Sequence, residues 1–159
     1  MSTNRLDWAF SRAAIGLAAG QCNLQCFSLY LSSLSCLSMA DLLGEVQLPQ
    51  CTCLNMAKEH TLRHALEAET RDSPEFYLES DCDEELLIKI NFMQAVKIKG
   101  LQINGVSKES APSKVRLFVN PLDTLDFDSA KDDKPTQELT LSASDVALTA
   151  RPLELRYVL

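Results

Sequence analysis

Apolar and polar residues alternate along the second half of the chain, as is typical of β-strands with one buried face. Residues 88–92 read Ile-Lys-Ile-Asn-Phe, and a similar alternation recurs in residues 115–119 and 153–158. A shorter apolar segment, Leu-Thr-Leu, lies at residues 139–141. Several short strands separated by long polar loops predict an antiparallel β-sandwich or barrel.

Two details of this alternation predict features of the sheets. In residues 96–103 the apolar positions shift by one residue at Gly100. A glycine at such a shift predicts a β-bulge. Phe118 stands on the polar face of its strand. We therefore expect that face to be partly covered, as between two packed sheets.

Helical spacing appears in two places. Within residues 55–69 apolar residues recur at helical intervals, and Glu59 precedes Arg63 by one helical turn. This predicts a helix of two or three turns, ended by the breaker at residues 71–74. A single helical turn is expected at residues 126–131, within an acidic loop.

Residues 1–40 differ from the rest of the chain, since they contain no charged residue between Ala13 and Ala40. A membrane span or secretory signal is one interpretation, and a serine-rich transit peptide is another. The third, which we favour, is an upstream extension of a gene whose true start is Met39. We expect this segment to be poorly structured or helical. The predicted units are an extension at 1–40 and a β-sandwich domain at 48–159.

The chain carries a formal net charge of −7, from 22 acidic and 15 basic residues, and the acidic excess lies beyond residue 40. Phosphate contacts need clustered Lys and Arg, so this balance excludes nucleic acid as a partner. It also argues against docking on anionic membrane surfaces. A protein partner fits the charge better.

The cysteines and histidines do not form a recognisable metal or redox motif. No Cys-x-x-Cys occurs among the six cysteines, which argues against a thioredoxin-type centre. Cys51 and Cys53, with His60 and His64, do not make a zinc site at known spacing. We predict no metal or cofactor. The histidines are expected on the solvated surface, and Cys82 is expected either in the core or near the surface. The roles of the three cysteines stay open.

The densest group of carboxylates is the acidic turn Glu79–Glu85. It lacks the glycine and the final ligand of a calcium-binding loop, and no second wall of polar groups is evident for hydrolysis. No serine-hydrolase, metalloprotease, phosphate-loop or dinucleotide motif is present. We predict no catalytic residue and no enzymatic activity.

Residues 76–88, Phe-Tyr-Leu-Glu-Ser-Asp-Cys-Asp-Glu-Glu-Leu-Leu-Ile, closely resemble the opening motif of the PITH domain family. That domain is the proteasome-interacting domain of thioredoxin-like protein and of stand-alone PITH-domain proteins. The resemblance recurs in chain order at residues 53–55 with 60–62, 114–120, 125–128 with 135–139, and 152–158.

The resemblance implies a jelly-roll β-sandwich of the galactose-binding-like type. It also implies a non-enzymatic adaptor, expected as a monomer in cytoplasm and nucleus, that docks on the regulatory particle of the 26S proteasome. We expect no counterpart in this sequence of the thioredoxin domain that supplies redox activity in the thioredoxin-like relative, so reductase activity is not carried over. Because the family continues beyond Leu159, we expect the sandwich to be incomplete at its C-terminus.

The surface that meets the partner is unknown from the sequence. The Glu79–Glu85 turn and the Asp123–Asp133 loop are candidates because both are acidic and expected to be exposed. An alternative function is a small-ligand or carbohydrate-binding sandwich module. Targeting to the secretory pathway or an organelle by residues 1–40 is the less favoured localisation.

Overall fold

Strands dominate the fold. The computed structural model describes residues 10–18, 23–32, 39–107, 110–121, 125–147 and 149–155. In chain order the elements are β1 Phe10–Ala18, β2 Asn23–Ser32, β3 Met39–Asp41, β4 Thr52–Leu54, α1 Leu62–Leu66, β5 Leu78–Glu79, β6 Glu85–Val96, β7 Gly100–Gly105, β8 Lys114–Val119, α2 Phe127–Asp132, β9 Gln137–Thr140 and β10 Leu153–Glu154. Short 3-10 helices occupy Leu43–Glu45 and Leu48–Gln50.

The described strands form two antiparallel sheets. The first has the order β4-β6-β1-β8-β9, and the second has the order β10-β7-β2-β3, with β5 also paired to β2. The mainly β, antiparallel sandwich predicted from the alternation is therefore confirmed. Of the predicted final strand at 153–158, Leu153–Glu154 is observed as β10, and residues 156–159 lie outside the described residues.

The core lies between the two sheets. Along β6 the even-numbered apolar residues are buried, and they join residues of β7 from the other sheet in one cluster. Each such side chain contributes about 1.5–3 kcal/mol through burial. The fully buried aliphatic residues at the centre are Leu78, Leu86, Ile88, Ile90, Leu101, Ile103 and Val115.

The outer face of the first sheet is covered by a helix. Phe118 is only 6% exposed and packs with Leu87 and Ala130 in a second cluster, joined by Leu125 and Phe127. The prediction that Phe118 is covered is confirmed, but α2 covers it and not a second sheet. This helix, predicted at residues 126–131, begins where the Asp126 carboxylate accepts a hydrogen bond from the Ser129 N–H at 2.8 Å.

Residues 10–18 and 23–32 are strands, so the expectation of a poorly structured or helical N-terminal segment is wrong for them. Each pairs with strands on both sides. Charged side chains commonly protect edge strands from unwanted pairing, and a strand with neighbours on both sides does not need them, so its composition can resemble that of an uncharged leader. The division into units 1–40 and 48–159 and the origin of the first 38 residues stay predictions. No helix in the described residues is long and apolar enough to cross a membrane.

The predicted helix within residues 55–69 is shorter than expected, since α1 spans only Leu62–Leu66. The backbone before α1 bonds to β5 instead: the Ala57 N–H donates to the Glu79 carbonyl at 2.9 Å. A residue engaged in this pairing cannot also continue a helix. Arg63 forms an ion pair at 2.9 Å with Glu67, which follows it by one helical turn, whereas Glu59 lies before the start of α1.

The β-bulge predicted at Gly100 is also wrong. Residues 97–99 connect two strands, and Gly100 begins β7. It pairs in regular register with Tyr30 of β2 and with Glu154 of β10. The shift in the apolar pattern thus marks the change from one sheet to the other, because the two strands present their buried faces independently.

Gly105 should not tolerate a larger side chain. A Cβ atom at this position would lie 2.6 Å from the Ala111 Cβ. Gly105→Ala should lower the free energy of unfolding by about 1–3 kcal/mol through overpacking, as measured by urea denaturation. Gly44→Ala is the matched control, since nothing lies within 4 Å of its added Cβ, and it should change stability by less than about 0.5 kcal/mol. Equal effects of both substitutions would contradict the packing argument.

Candidate docking surface

Asn55 holds the acidic turn in place. It follows β4 and has a φ of 61°, a left-handed conformation that Asn tolerates better than most residues. Its side-chain amide donates to the Asp83 carboxylate at 2.6 Å and to the Glu85 carbonyl at 2.7 Å. Its side-chain oxygen accepts the Cys82 N–H at 3.1 Å. One polar side chain therefore fixes both sides of the turn.

The acidic turn presents its charges to solvent. Asp81, Cys82, Asp83 and Glu84 are all exposed. The Asp83 carboxylate also accepts the Glu85 N–H at 3.1 Å, so the turn is closed by its own side chain. In the described parts of the chain, no group of three or more His, Cys, Asp or Glu side chains is arranged to hold a metal ion.

Helix α2 lies against this turn. The Lys131 ammonium is 2.9 Å from the Glu85 carboxylate, and the hydrogen bond and charge of Glu85 raise the pKa of Lys131. The charges of Asp128 and Asp83 act in the same direction. The two acidic segments named from the sequence are therefore neighbours, although residues 122–124 of the second lie outside the described residues.

Arg116 of β8 fixes the C-terminal end of α2. Its guanidinium donates to the Lys131 carbonyl at 2.8 Å, to the Asp133 carbonyl at 3.2 Å, and also to the Ala130 carbonyl. It forms an ion pair with Glu138 of β9 at 3.1 Å. A cation at the last carbonyls of a helix satisfies groups that the helix leaves unpaired. This role was not predicted, and its one signal in the sequence is an arginine on an otherwise outward-facing strand position.

Together these contacts define one surface, which we call the acidic surface. Leu54 lies beside it, 44% exposed, next to Asn55 and paired with Leu87. An apolar side chain rimmed by charges is a common arrangement in protein interfaces. The exposed carboxylates of the acidic surface belong to Asp81, Asp83, Glu84, Asp128, Asp132 and Asp133.

Comparison with known proteins places these features in a family. The sequence model of the PITH domain family matches residues 33–159 of this chain. The chain belongs to the PITH domain family. No solved structure matches it significantly.

Several curated proteins are similar to this chain over about 100 residues. The chain is 38% identical over 100 residues to thioredoxin-like protein 1 of Schizosaccharomyces pombe, covering 62% of this chain and 33% of that protein. It is 35% identical over 99 residues to a PITH domain-containing protein of Drosophila melanogaster. It is 36% identical over 98 residues to human PITH domain-containing protein 1. The latter two alignments cover 62% and 61% of this chain. They cover 46% of each of those relatives, so the chain spans less than half of their length.

The two histidines of the PITH domain are only partly solvated, whereas solvated surface side chains were predicted. His60 stacks on Tyr77 with ring centroids 3.9 Å apart, and its Nε2 lies 3.8 Å from the Glu79 carboxylate. The His64 ring centroid lies 5.2 Å from that of Phe76. Both histidines are half-buried, because the segment leading into β5 folds back beside α1. The Tyr77 ring is thereby engaged within the protein.

The described cysteines are free thiols with different surroundings. Cys51 and Cys53 are half-buried against the core, and burial raises the pKa of Cys53 to about 12. Burial also raises the pKa of Cys51, although a hydrogen bond from the Asn91 N–H opposes this shift. Cys82 is exposed in the acidic turn, which agrees with the near-surface alternative and not with the core. A raised pKa leaves a thiol protonated and weakly nucleophilic near neutral pH.

Replacing Asn55 should loosen the acidic turn. Asn55→Ala removes four side-chain hydrogen bonds to the turn and places an alanine at positive φ, which together should cost about 2–4 kcal/mol. Asn55→Gly is the matched control, because glycine accepts this backbone conformation and should cost about 1 kcal/mol less. Urea denaturation measures both, and equal stability of the two variants would contradict a role for the backbone conformation.

The thiols should react at different rates. Near neutral pH we expect iodoacetamide to modify the exposed Cys82 roughly tenfold or more faster than Cys53, because alkylation requires the thiolate. The Cys53 rate should keep rising with pH, since burial raises the pKa of its thiol to about 12. Peptide mapping by mass spectrometry separates the sites. Faster labelling of Cys53 in the folded protein would contradict this assignment.

Proposed function

We propose that the protein is a PITH-domain adaptor without enzymatic activity that docks on the regulatory particle of the 26S proteasome, in the cytoplasm and nucleus. Membership of the PITH family, with the motif at residues 76–88 forming an exposed acidic turn, carries this proposal. The resemblance supplies the partner, and the acidic surface supplies a place where a protein can bind.

The acidic surface is suited to docking because it is held in shape before any partner arrives. Asn55 fixes the turn, Arg116 fixes the end of α2, and the Lys131–Glu85 ion pair joins the two. A preorganised surface loses less conformational entropy on binding. Its excess of carboxylates favours a partner with exposed lysines and arginines, and such complementarity mainly accelerates association.

The chemistry of the described side chains supports an adaptor over a thiol oxidoreductase. A reductase needs a thiolate near neutral pH, whereas burial raises the pKa of both Cys51 and Cys53. The carboxylates of Asp81, Asp83 and Glu84 are exposed, so these three groups lack the burial that prepares a carboxyl group for acid catalysis.

Neutralising the acidic surface should weaken proteasome binding. In the full chain, Asp81→Asn, Asp128→Asn and Asp132→Asn combined should raise the Kd for purified regulatory particle about tenfold, at roughly 0.5 kcal/mol for each exposed charge. Biolayer interferometry at two salt concentrations measures this, and the difference between wild type and variant should shrink as salt rises.

The control changes the same number of exposed acids elsewhere, at Glu69, Glu75 and Glu154, each to glutamine. Its affinity should stay within about twofold of wild type, since distant charges are screened. An equal loss of affinity in both variants would show that net charge, and not this surface, drives binding. No measurable binding of the wild-type chain would overturn the proposed function itself.

A further inference from the structure

Strand β1 fills a gap between two strands of the PITH body. It pairs with β6 from Arg12 opposite Asn91 to Ala18 opposite Glu85. On its other side it pairs with β8 from Ala13 opposite Val119 to Ala18 opposite Lys114. Without β1, the first sheet would therefore be divided into two parts.

The gap is one strand wide and fits a strand that runs antiparallel to both of its neighbours. Both β6 and β8 run antiparallel to β1, so they run parallel to each other. With β1 between them they are about 10 Å apart, since neighbouring strands are spaced by about 4.8 Å. Empty, the gap would present two facing rows of unpaired backbone N–H and C=O groups, which are costly inside a protein and bind any strand of matching register.

Strand β2 does the same in the second sheet. It pairs with β7 on one side and with β3 and β5 on the other. Both inserted strands precede residue 33, where the match to the PITH family begins. The family body thus contributes the flanking strands, and the segment before it contributes the inserts.

We propose that β1 and β2 form an exchangeable pair of strands, which a second copy of this chain can supply to the same gaps. The second copy is the fitting partner because its strands have the same sequence and therefore the same register. Between residues 10 and 32 the only charged residue is Arg12, so the acidic body does not repel the incoming segment. Exchange of an identical element between protomers creates few new contacts and costs little energy.

Complementation between two defective full-length chains tests this. Ile15→Pro disables the inserted strand, since Ile15 sits inside β1 with partners on both sides. Leu117→Pro disrupts β8, which forms one side of the gap, but leaves the sequences of β1 and β2 unchanged. Refolded alone, each variant should lose the cooperative thermal transition. Refolded together, they should form a heterodimer that recovers about half of the wild-type unfolding enthalpy, because one of two sandwiches is complete.

The control mixes the Ile15→Pro chain with a chain carrying both substitutions, which offers no intact β1 and should restore nothing. Calorimetry and light scattering after size exclusion provide the readouts. If the mixture of the two single variants shows no unfolding transition and no dimer beyond those of the separately refolded chains, the proposal is overturned. A wild-type-like transition in the Ile15→Pro chain alone would overturn it as well, because the gap would then not need β1.

Discussion

Backbone hydrogen bonding in the middle of the two sheets is the constraint on which the rest of the structure depends. An inner strand must find partners on both sides, since unpaired backbone groups in the interior cost as much as lost hydrogen bonds. β1 meets this requirement between β6 and β8, and β2 meets it beside β7. The buried faces of β6 and β7 then pack into a single core. A segment with almost no charge is suited to such positions, because an inner strand has no free edge that charged side chains must protect.

The acidic surface depends on that sheet in turn. Arg116 belongs to β8, and Glu85 begins β6, so β1 lies between the strands that carry these two contacts to α2. Asn55 follows β4 at the edge of the same sheet and adds a third contact, which joins the sheet to the acidic turn. The surface proposed to bind the proteasome is therefore built on a rigid sheet, although its charged residues lie in a turn and a short helix. This arrangement combines exposure with a fixed shape.

The elements predicted well are those whose signal is local. Alternation in residues 88–92 and 115–119 identified β6 and β8, and the turn at 126–131 identified α2. The errors share a different cause, since each concerns a segment whose partner is distant in the chain. The backbones of Ala57 and His60 bond to Glu79 of β5, where the sequence had predicted a helix. Residues 10–18 were judged by their lack of charge, whereas their partners lie some 70–100 residues away.

The sequence by itself determined the β-sandwich class, the acidic balance and the family, because periodicity, charge and motifs are properties of neighbouring residues. Only the tertiary structure decided that the two acidic segments share one surface and that Asn55 and Arg116 hold it. It also decided that β1 belongs in the first sheet. These facts depend on which strands lie side by side, and strand pairing between distant residues leaves no periodic signal in either strand alone.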